Sequence, residues 1–333
     1  MDLISPDGTP QYGLLDEPIE RVNHRDYDLL DSFGRPVRGL RRHLAFNQFE
    51  FLGGLSDELI FGVVIADIGY VSTAFLYLFE PQTGATCSRS LRTPLSIGTT
   101  MADTPERGTS SFIGIGGRVE MSAIGNARRL KAAARGVKLD VTFSEGAMTP
   151  QRICTRAGPS GWVYARKTAG HHITGSAEWG GRTVDLSTLH ALGHHDWSAG
   201  YMRRETFWNW GCLAGRLADG RVIGMNISCG VNETSFTENC FWLDGALHRI
   251  GPVHFDYARR KLEQPWRMTD SGGQLDLTFT PIGRHVERIN AVIVASNFTQ
   301  MFGRYDGSFT TNEGEVLRVS GLPGYAEWHF ARW

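Results

Sequence analysis

The feature that most constrains this chain is a repeated two-residue alternation of apolar and polar side chains. Val137-Lys138-Leu139-Asp140-Val141-Thr142-Phe143 alternates without a break, and Leu275-Asp276-Leu277-Thr278-Phe279-Thr280 nearly repeats it. A period of two puts every apolar residue on one face of a strand and every polar residue on the other. Residues 60–65 and 72–79 are rich in β-branched and aromatic side chains, which suit a buried, pleated surface. The pairs Asp7-Gly8, Asp219-Gly220, Asp244-Gly245 and Asp306-Gly307 stand between such runs. Asp-Gly is a hairpin signal because glycine takes positive φ at little cost. Residues 126–136 have helix-forming composition and a closing glycine, but they run directly into the alternating segment. Their continuity favours a long bent strand pair.

A chain of 333 residues suits two domains or one large β domain, with room for a substantial core. Thr149-Pro150, Gly158-Pro159-Ser160-Gly161 and Gly180-Gly181 punctuate the middle of the chain. They place the expected division between an N-terminal unit, 1–175, and a C-terminal unit, 176–333. Many short antiparallel strands at regular spacing predict an all-β fold of barrels or a sandwich.

Net charge and apolar content narrow the function classes. The formal charge is -1 and 41% of residues are hydrophobic, which excludes a disordered chain. A nucleic-acid partner would need a basic face, and the arginines are scattered. The densest basic run, Arg38-Gly39-Leu40-Arg41-Arg42-His43, reads as a solvated edge rather than a phosphate site. The longest apolar tract, residues 59–78, is interrupted by Asp67, Gly69, Ser72 and Thr73, so it reads as two buried strands and not a membrane helix. The N-terminus lacks the basic and apolar regions of a signal peptide. The five cysteines form no CxxC pair, and the expectation is a cytoplasmic protein with reduced thiols. In that compartment the sequons at Asn226, Asn232 and Asn297 are chance matches.

Chemistry-bearing residues concentrate in one tract, Gly193-His194-His195-Asp196-Trp197-Ser198-Ala199-Gly200-Tyr201-Met202-Arg203-Arg204-Glu205-Thr206-Phe207-Trp208-Asn209-Trp210-Gly211. A histidine beside a carboxylate can serve as general acid or base. An acid among tryptophans can have its pKa raised by desolvation. Aromatic faces can stabilise a developing cation. The bland alternative makes Trp208 and Trp210 core residues two apart on a strand, with His195 and Asp196 satisfying a turn. The histidines 171, 172, 190, 194 and 195 show no metal-ligand spacing, and neighbours on a strand point to opposite faces. No metal is expected. Gly114-Ile115-Gly116-Gly117 lacks the helix and acid of a dinucleotide site, and no Walker motif or nucleophile elbow occurs. No cofactor is expected either. Asp67 lies in the most apolar tract, facing a cavity or capping a turn with Gly69. Asn226, Asn232, Glu233, Glu238 and Asn239 form a polar patch that could contribute to a pocket.

The ending, Gly303-Arg304-Tyr305-Asp306-Gly307 through Gly321-Leu322-Pro323-Gly324-Tyr325-Ala326-Glu327-Trp328-His329-Phe330-Ala331-Arg332-Trp333, resembles that of the domain of unknown function 2804 family. So do Ala66-Asp67-Ile68-Gly69-Tyr70, His195-Asp196-Trp197 and Trp208-Asn209-Trp210. More distantly, the layout is similar to lipocalin-like carotenoid hydratases of the hydroxyneurosporene synthase type. Their central motif is an Asp-His pair followed by Trp, whereas here the order is His195-Asp196-Trp197. The resemblance implies two lipocalin-like, calycin-type antiparallel β-barrels or half-barrels with a pocket for an apolar substrate.

Together these readings predict a lyase of hydratase or isomerase type, acting without a cofactor on an apolar, unsaturated, terpenoid- or lipid-like small molecule. The expected catalytic residues are His195, Asp196, Glu205 and Tyr201. Asp67, Trp197, Trp208, Asn209, Trp210, Asn226 and Glu238 are the expected substrate contacts. A non-catalytic lipid carrier and a carbohydrate-active enzyme with paired acids are the alternatives. The oligomeric state stays open.

Overall fold

The computed structural model describes residues 1–231, 235–291 and 294–333. Asn232 and Glu233 of the expected polar patch lie outside the described residues. The strands fall into two sheets in strict chain order. The first sheet begins with β1 (Gly13–Leu14), β2 (Asn47–Leu55), β3 (Ile60–Asp67), β4 (Val71–Glu80) and β5 (Ala85–Pro94). It continues through β6 (Thr99–Thr100), β7 (Gly108–Gly114), β8 (Gly117–Ile124), β9 (Ala127–Ala134) and β10 (Val137–Ser144). It ends with β11 (Gln151–Ala157), β12 (Gly161–Trp179), β13 (Arg182–Asp185) and β14 (Leu192–Tyr201). The second sheet holds β15 (Glu205–Arg216), β16 (Val222–Cys229), β17 (Cys240–Leu243), β18 (Ala246–Arg249) and β19 (Val253–Asp256). Its remaining strands are β20 (Trp266–Asp270), β21 (Leu275–Ala291), β22 (Val294–Thr310) and β23 (Val316–Arg332).

Both sheets are antiparallel and curl into half-barrels, as the family resemblance implies. Val137, Leu139, Val141 and Phe143 of β10 all point into the first core, beside Leu52, Val63, Leu76 and Leu130. Residues 127–134 are a strand, with Arg128, Leu130, Ala132 and Ala134 buried in alternation. Packing against β10 outweighs their helix propensity. The second core gathers Ile227, Met225, Trp266, Phe279 and Tyr305. Asp244-Gly245 makes the tight β17–β18 hairpin with φ of 47° and 86° at the two residues. Asp306-Gly307 is different: it lies inside β22, where the register shifts beside it in a bulge rather than a turn.

The expected division at 175/176 falls inside β12, a strand paired on both sides. The chain instead changes sheets between Tyr201 and Glu205. Local glycine punctuation cannot mark this point, because sheet membership is set by long-range pairing of β14 with β2 and β12.

The half-barrels meet through their outer faces. Phe51, Ile60, Val64, Tyr77 and Phe79 of the first sheet pack on Trp210, Cys212, Trp242, Phe302 and Tyr325 of the second. Each aromatic or large aliphatic side chain buried this way contributes about 1.5–3 kcal/mol. Residues 1–37 run across the end of the first half-barrel, where Leu3, Ile4, Ile19 and Val37 cover Trp162, Tyr164 and Trp197. The basic run forms α1 (Gly39–His43). Arg42 is tied to the carbonyls of His24, Arg25 and Tyr27, while Arg41 stays exposed. Among the described residues, no helix is long and apolar enough to cross a membrane.

Candidate active site

A cavity of about 220 Å³ lies between the two half-barrels. Its walls come mainly from Phe49, Phe51, Phe75, Trp208, Trp210 and Phe298. Asp196, Lys167, Glu238 and Glu327 line it as well. Strand register explains why these residues meet. Asp196 of β14 is opposite Phe51 on β2 and Lys167 on β12, so all three side chains share the outer face. Trp210 of β15 is opposite Glu327 on β23, and Gln300 on β22 is its next neighbour.

The polar end of the cavity centres on one ammonium. Lys167 Nζ is 2.5 Å from Asp196 Oδ2 and 3.6 Å from Glu238 Oε1. Burial pushes the Lys167 ammonium down, but the carboxylates of Asp196 and Glu238 outweigh it and keep the lysine charged. Asp196 responds in the opposite sense. Burial raises its carboxyl to about 6, with Lys167 pulling down and Glu238 pushing further up. Glu327 is held by three donors: Trp208 Nε1 donates to Oε1 at 2.9 Å, Gln300 Nε2 to Oε2 at 3.2 Å, and Asn209 Nδ2 to its backbone carbonyl at 3.0 Å. Tyr77 in turn donates to Gln300 Oε1. Behind the wall, Asn226 accepts from Trp210 Nε1 at 2.8 Å and donates to Glu238 at 3.3 Å. Asp196 is thus a carboxyl that titrates near neutrality, beside an apolar volume and opposite a pair of tryptophans.

The structure brings together five of the expected site residues: Asp196, Trp208, Trp210 and Glu238 on the cavity, with Asn226 behind them. It separates the others. His195 follows the same alternation that exposes Asp196 to the cavity, so it points into the first half-barrel. There Arg166 Nη1 donates to Nδ1 at 3.4 Å, leaving the Nε2 hydrogen for Glu50 Oε1 at 3.1 Å. Burial, with Arg128 and Arg166 close by, holds this imidazole neutral. Burial likewise raises the Glu50 carboxyl, against Arg128 and its hydrogen bond from Ser110. The expected His195–Asp196 partnership is therefore replaced by Lys167–Asp196.

Trp197 and Tyr201 share the His195 face. Trp197 packs on Tyr164 at 5.9 Å between ring centroids, and Tyr201 donates to the His24 carbonyl at 3.3 Å. Asn209 faces the second half-barrel, where Tyr257 donates to its Oδ1 at 3.2 Å. Glu205 is 60% exposed, 3.6 Å from Arg332, and does not line the cavity. Asp67 caps its turn, accepting from the Gly69 amide and from Ser72 and Ser96. Lys167 and Glu327 were missed in the sequence. The available signal was charge within mainly apolar strands: the adjacent pair Arg166-Lys167 in residues 162–170, and Glu327 closing residues 322–327. Among the described residues, no group of three or more histidine, cysteine, aspartate or glutamate side chains is arranged to hold a metal ion.

Residues 1–333 match the domain of unknown function DUF2804 along their whole length. The chain belongs to that family. No curated protein matches its sequence. Among solved structures, CghA is similar at a TM-score of 0.58 and 10% identity, covering 100% of this chain and 97% of its own. CghA with Sch210972 gives 0.58 and 10%, covering 99% and 97%. Kievitone hydratase from Nectria haematococca gives 0.52 and 10%, covering 100% and 98%. At this identity the likeness bears on the fold alone, and it extends across the full chain.

Proposed function

We propose that this DUF2804 protein is an acid–base enzyme of hydratase or isomerase type, acting on an apolar, unsaturated small molecule held between the half-barrels. The observation that carries the reading is the Asp196 carboxyl, raised to about 6, at the wall of an aromatic cavity. A general acid works best when its pKa lies near the working pH. In the forward step the Asp196 proton passes to one carbon of a double bond, and the π electrons form the new C–H bond. The adjacent carbon becomes cationic in front of Trp208 and Trp210, whose faces stabilise positive charge. Water then adds through an oxygen lone pair and returns a proton to the Asp196 carboxylate, giving hydration. Loss of a neighbouring C–H proton to the same carboxylate gives isomerisation. Lys167 is a positioning residue, keeping Asp196 from rising further.

The fold neighbours support this reading, since one of them is named a hydratase. A sugar would leave several hydroxyls without partners along the phenylalanine walls, at a cost for each unpaired group. The test is to incubate the protein with a panel of apolar alkenes, monitor binding by tryptophan fluorescence, and look for gain of one water or an isomeric product by mass spectrometry and chromatography. Asp196→Asn is expected to keep affinity within about threefold and to lower turnover at least about 100-fold. Unchanged turnover in this variant overturns the assignment. Tight binding with no turnover by the wild-type protein would instead identify a carrier.

A further inference from the structure

Two adjacent turns on the first half-barrel carry apolar side chains where polar ones are usual. Ile115 and Gly116 form the turn between β7 and β8, and Ile97 lies in the connection from β5 to β6. The Gly98 carbonyl accepts from the Ile113 amide at 2.7 Å, so the two turns lie side by side. Ile97, Ile113 and Ile115 are 62%, 65% and 93% exposed. Two-residue hairpin turns ordinarily carry Asn, Asp or Gly, and isoleucine there brings no conformational gain. The core does not use these side chains. Leu91, Phe112 and Val119 fill it from the inward positions of β5, β7 and β8. The outer face of β7 and β8 next to Ile113 is polar, with Thr109, Ser111, Glu120 and Ser122.

Positive charge flanks this apolar tip. Arg118 is directly opposite Ile113, so the two side chains share the outer face. Arg135, in the turn from β9 to β10, lies against Gly116, where an added Cβ would stand 2.9 Å from its Nε. Arg89 donates to the Arg135 carbonyl at 3.1 Å and to the Ser88 carbonyl at 2.8 Å. Among the described residues, none of these three guanidinium groups is paired with a carboxylate. The acids of the surrounding strands are matched elsewhere. Glu120 is opposite Lys131, Asp140 is 3.0 Å from Arg129, and Glu178 is 3.0 Å from Lys138. Glu287 is engaged by Arg92 at 2.8 Å. The tip therefore combines three exposed isoleucines with three surplus positive charges.

We propose that this tip docks the protein on the surface of a bilayer that contains anionic lipid. Ile97, Ile113 and Ile115 enter the boundary between head groups and acyl chains, while Arg89, Arg118 and Arg135 meet the anionic head groups. Both contributions are needed: aliphatic insertion is shallow by itself, and the arginines add attraction only where the surface is negative. Protein interfaces draw instead on aromatic anchors seated in well-packed pockets, and this tip presents aliphatic side chains on turns. The proposal is independent of the chemistry assigned to the cavity, since none of these six residues lines it.

The experiment is flotation of the full-length protein with two kinds of vesicle, phosphatidylcholine alone and phosphatidylcholine with about 30% phosphatidylserine. The wild-type protein is expected to bind the anionic vesicles at least about tenfold more tightly, with the preference shrinking between about 0.1 M and about 0.5 M salt. The double variant Ile113→Thr, Ile115→Ser changes exposed positions and keeps a β-branched residue in β7. It should weaken binding to anionic vesicles about tenfold at an unchanged melting temperature. Arg118→Glu, Arg135→Glu should abolish the preference for phosphatidylserine. Ile124→Thr, an exposed isoleucine in the turn at the opposite end of β8, should bind as wild type. Absence of binding to either vesicle overturns the proposal, as does equal binding to both. Equal weakening by Ile124→Thr and by the Ile113, Ile115 pair overturns it as well. A wild-type dimer in light scattering that the Ile113, Ile115 variant returns to monomer would make a second copy the occupant and overturn the lipid assignment.

Discussion

Replacing Lys167 by methionine removes the one cation from a buried group of carboxylates. At an effective dielectric near 20, unit charges separated by the observed 2.5 Å and 3.6 Å attract by about 7 and 5 kcal/mol. Much of that is offset by the cost of taking the ammonium out of water. The net loss on breaking such a buried pair is about 3–5 kcal/mol. The loss should depend on pH. Asp196 has a folded value of about 6 against an ordinary 3.8. A carboxyl raised on folding contributes stability that is complete below its unfolded value and is lost as pH rises through its folded value. For this gap of about two units, that amounts to about 3 kcal/mol in the wild-type protein. Without Lys167 the folded value moves higher, so the stability lost on raising the pH is larger. Lys167→Met should therefore cost about 1–2 kcal/mol near pH 5 and about 3–5 kcal/mol near pH 8. Urea unfolding at the two pH values measures the difference, and carboxyl NMR titration of Asp196 reads the upward shift directly. An equal deficit at both pH values, or an Asp196 that titrates as an ordinary surface carboxyl, would refute the reasoning.

Three further substitutions separate the cavity from its surroundings. His195→Gln should destabilise the fold by about 2–4 kcal/mol in chemical denaturation, because Glu50 and Arg166 lose a buried partner. Ligand affinity should not change, since the ring lies on the far face of β14; a tenfold loss would return His195 to the site. Glu205→Gln should leave turnover and affinity unaltered, as its exposed side chain lies outside the cavity; steady-state kinetics decide. Gly53→Ala would set a Cβ against the His194 imidazole and 2.9 Å from the Phe61 carbonyl, costing about 1–3 kcal/mol. A melting temperature equal to wild type would show that His194 can move aside.

The candidate site was partly legible for a simple reason. The tract from His194 to Trp210 contains the acid and both tryptophans that the cavity uses. Density of chemical residue types pointed to a tract that supplies part of the cavity lining, but it did not show which side chains are paired there. Alternation had already implied that adjacent side chains diverge, a rule that separates His171 from His172 and equally separates His195 from Asp196. Lys167 and Glu327 were harder to see. Lys167 is 29 residues before Asp196, and Glu327 is 131 after it. Only pairing across β12, β14, β15 and β23, with the two sheets face to face, brings them to one volume.

The sequence by itself determined the all-β class, the faces of its alternating strands such as residues 137–143, several of the turns and the family. These are consequences of local sterics and of a period of two, which need no knowledge of what lies across the sheet. Tertiary structure decided which outward faces would meet. It made Asp196 a buried carboxyl beside Lys167, turned Trp208 and Trp210 into cavity walls, and left Glu205 in solvent. Burial and charge proximity are properties of pairs of surfaces distant in the chain, so the upward shift of the Asp196 carboxyl comes from the packing of one half-barrel on the other.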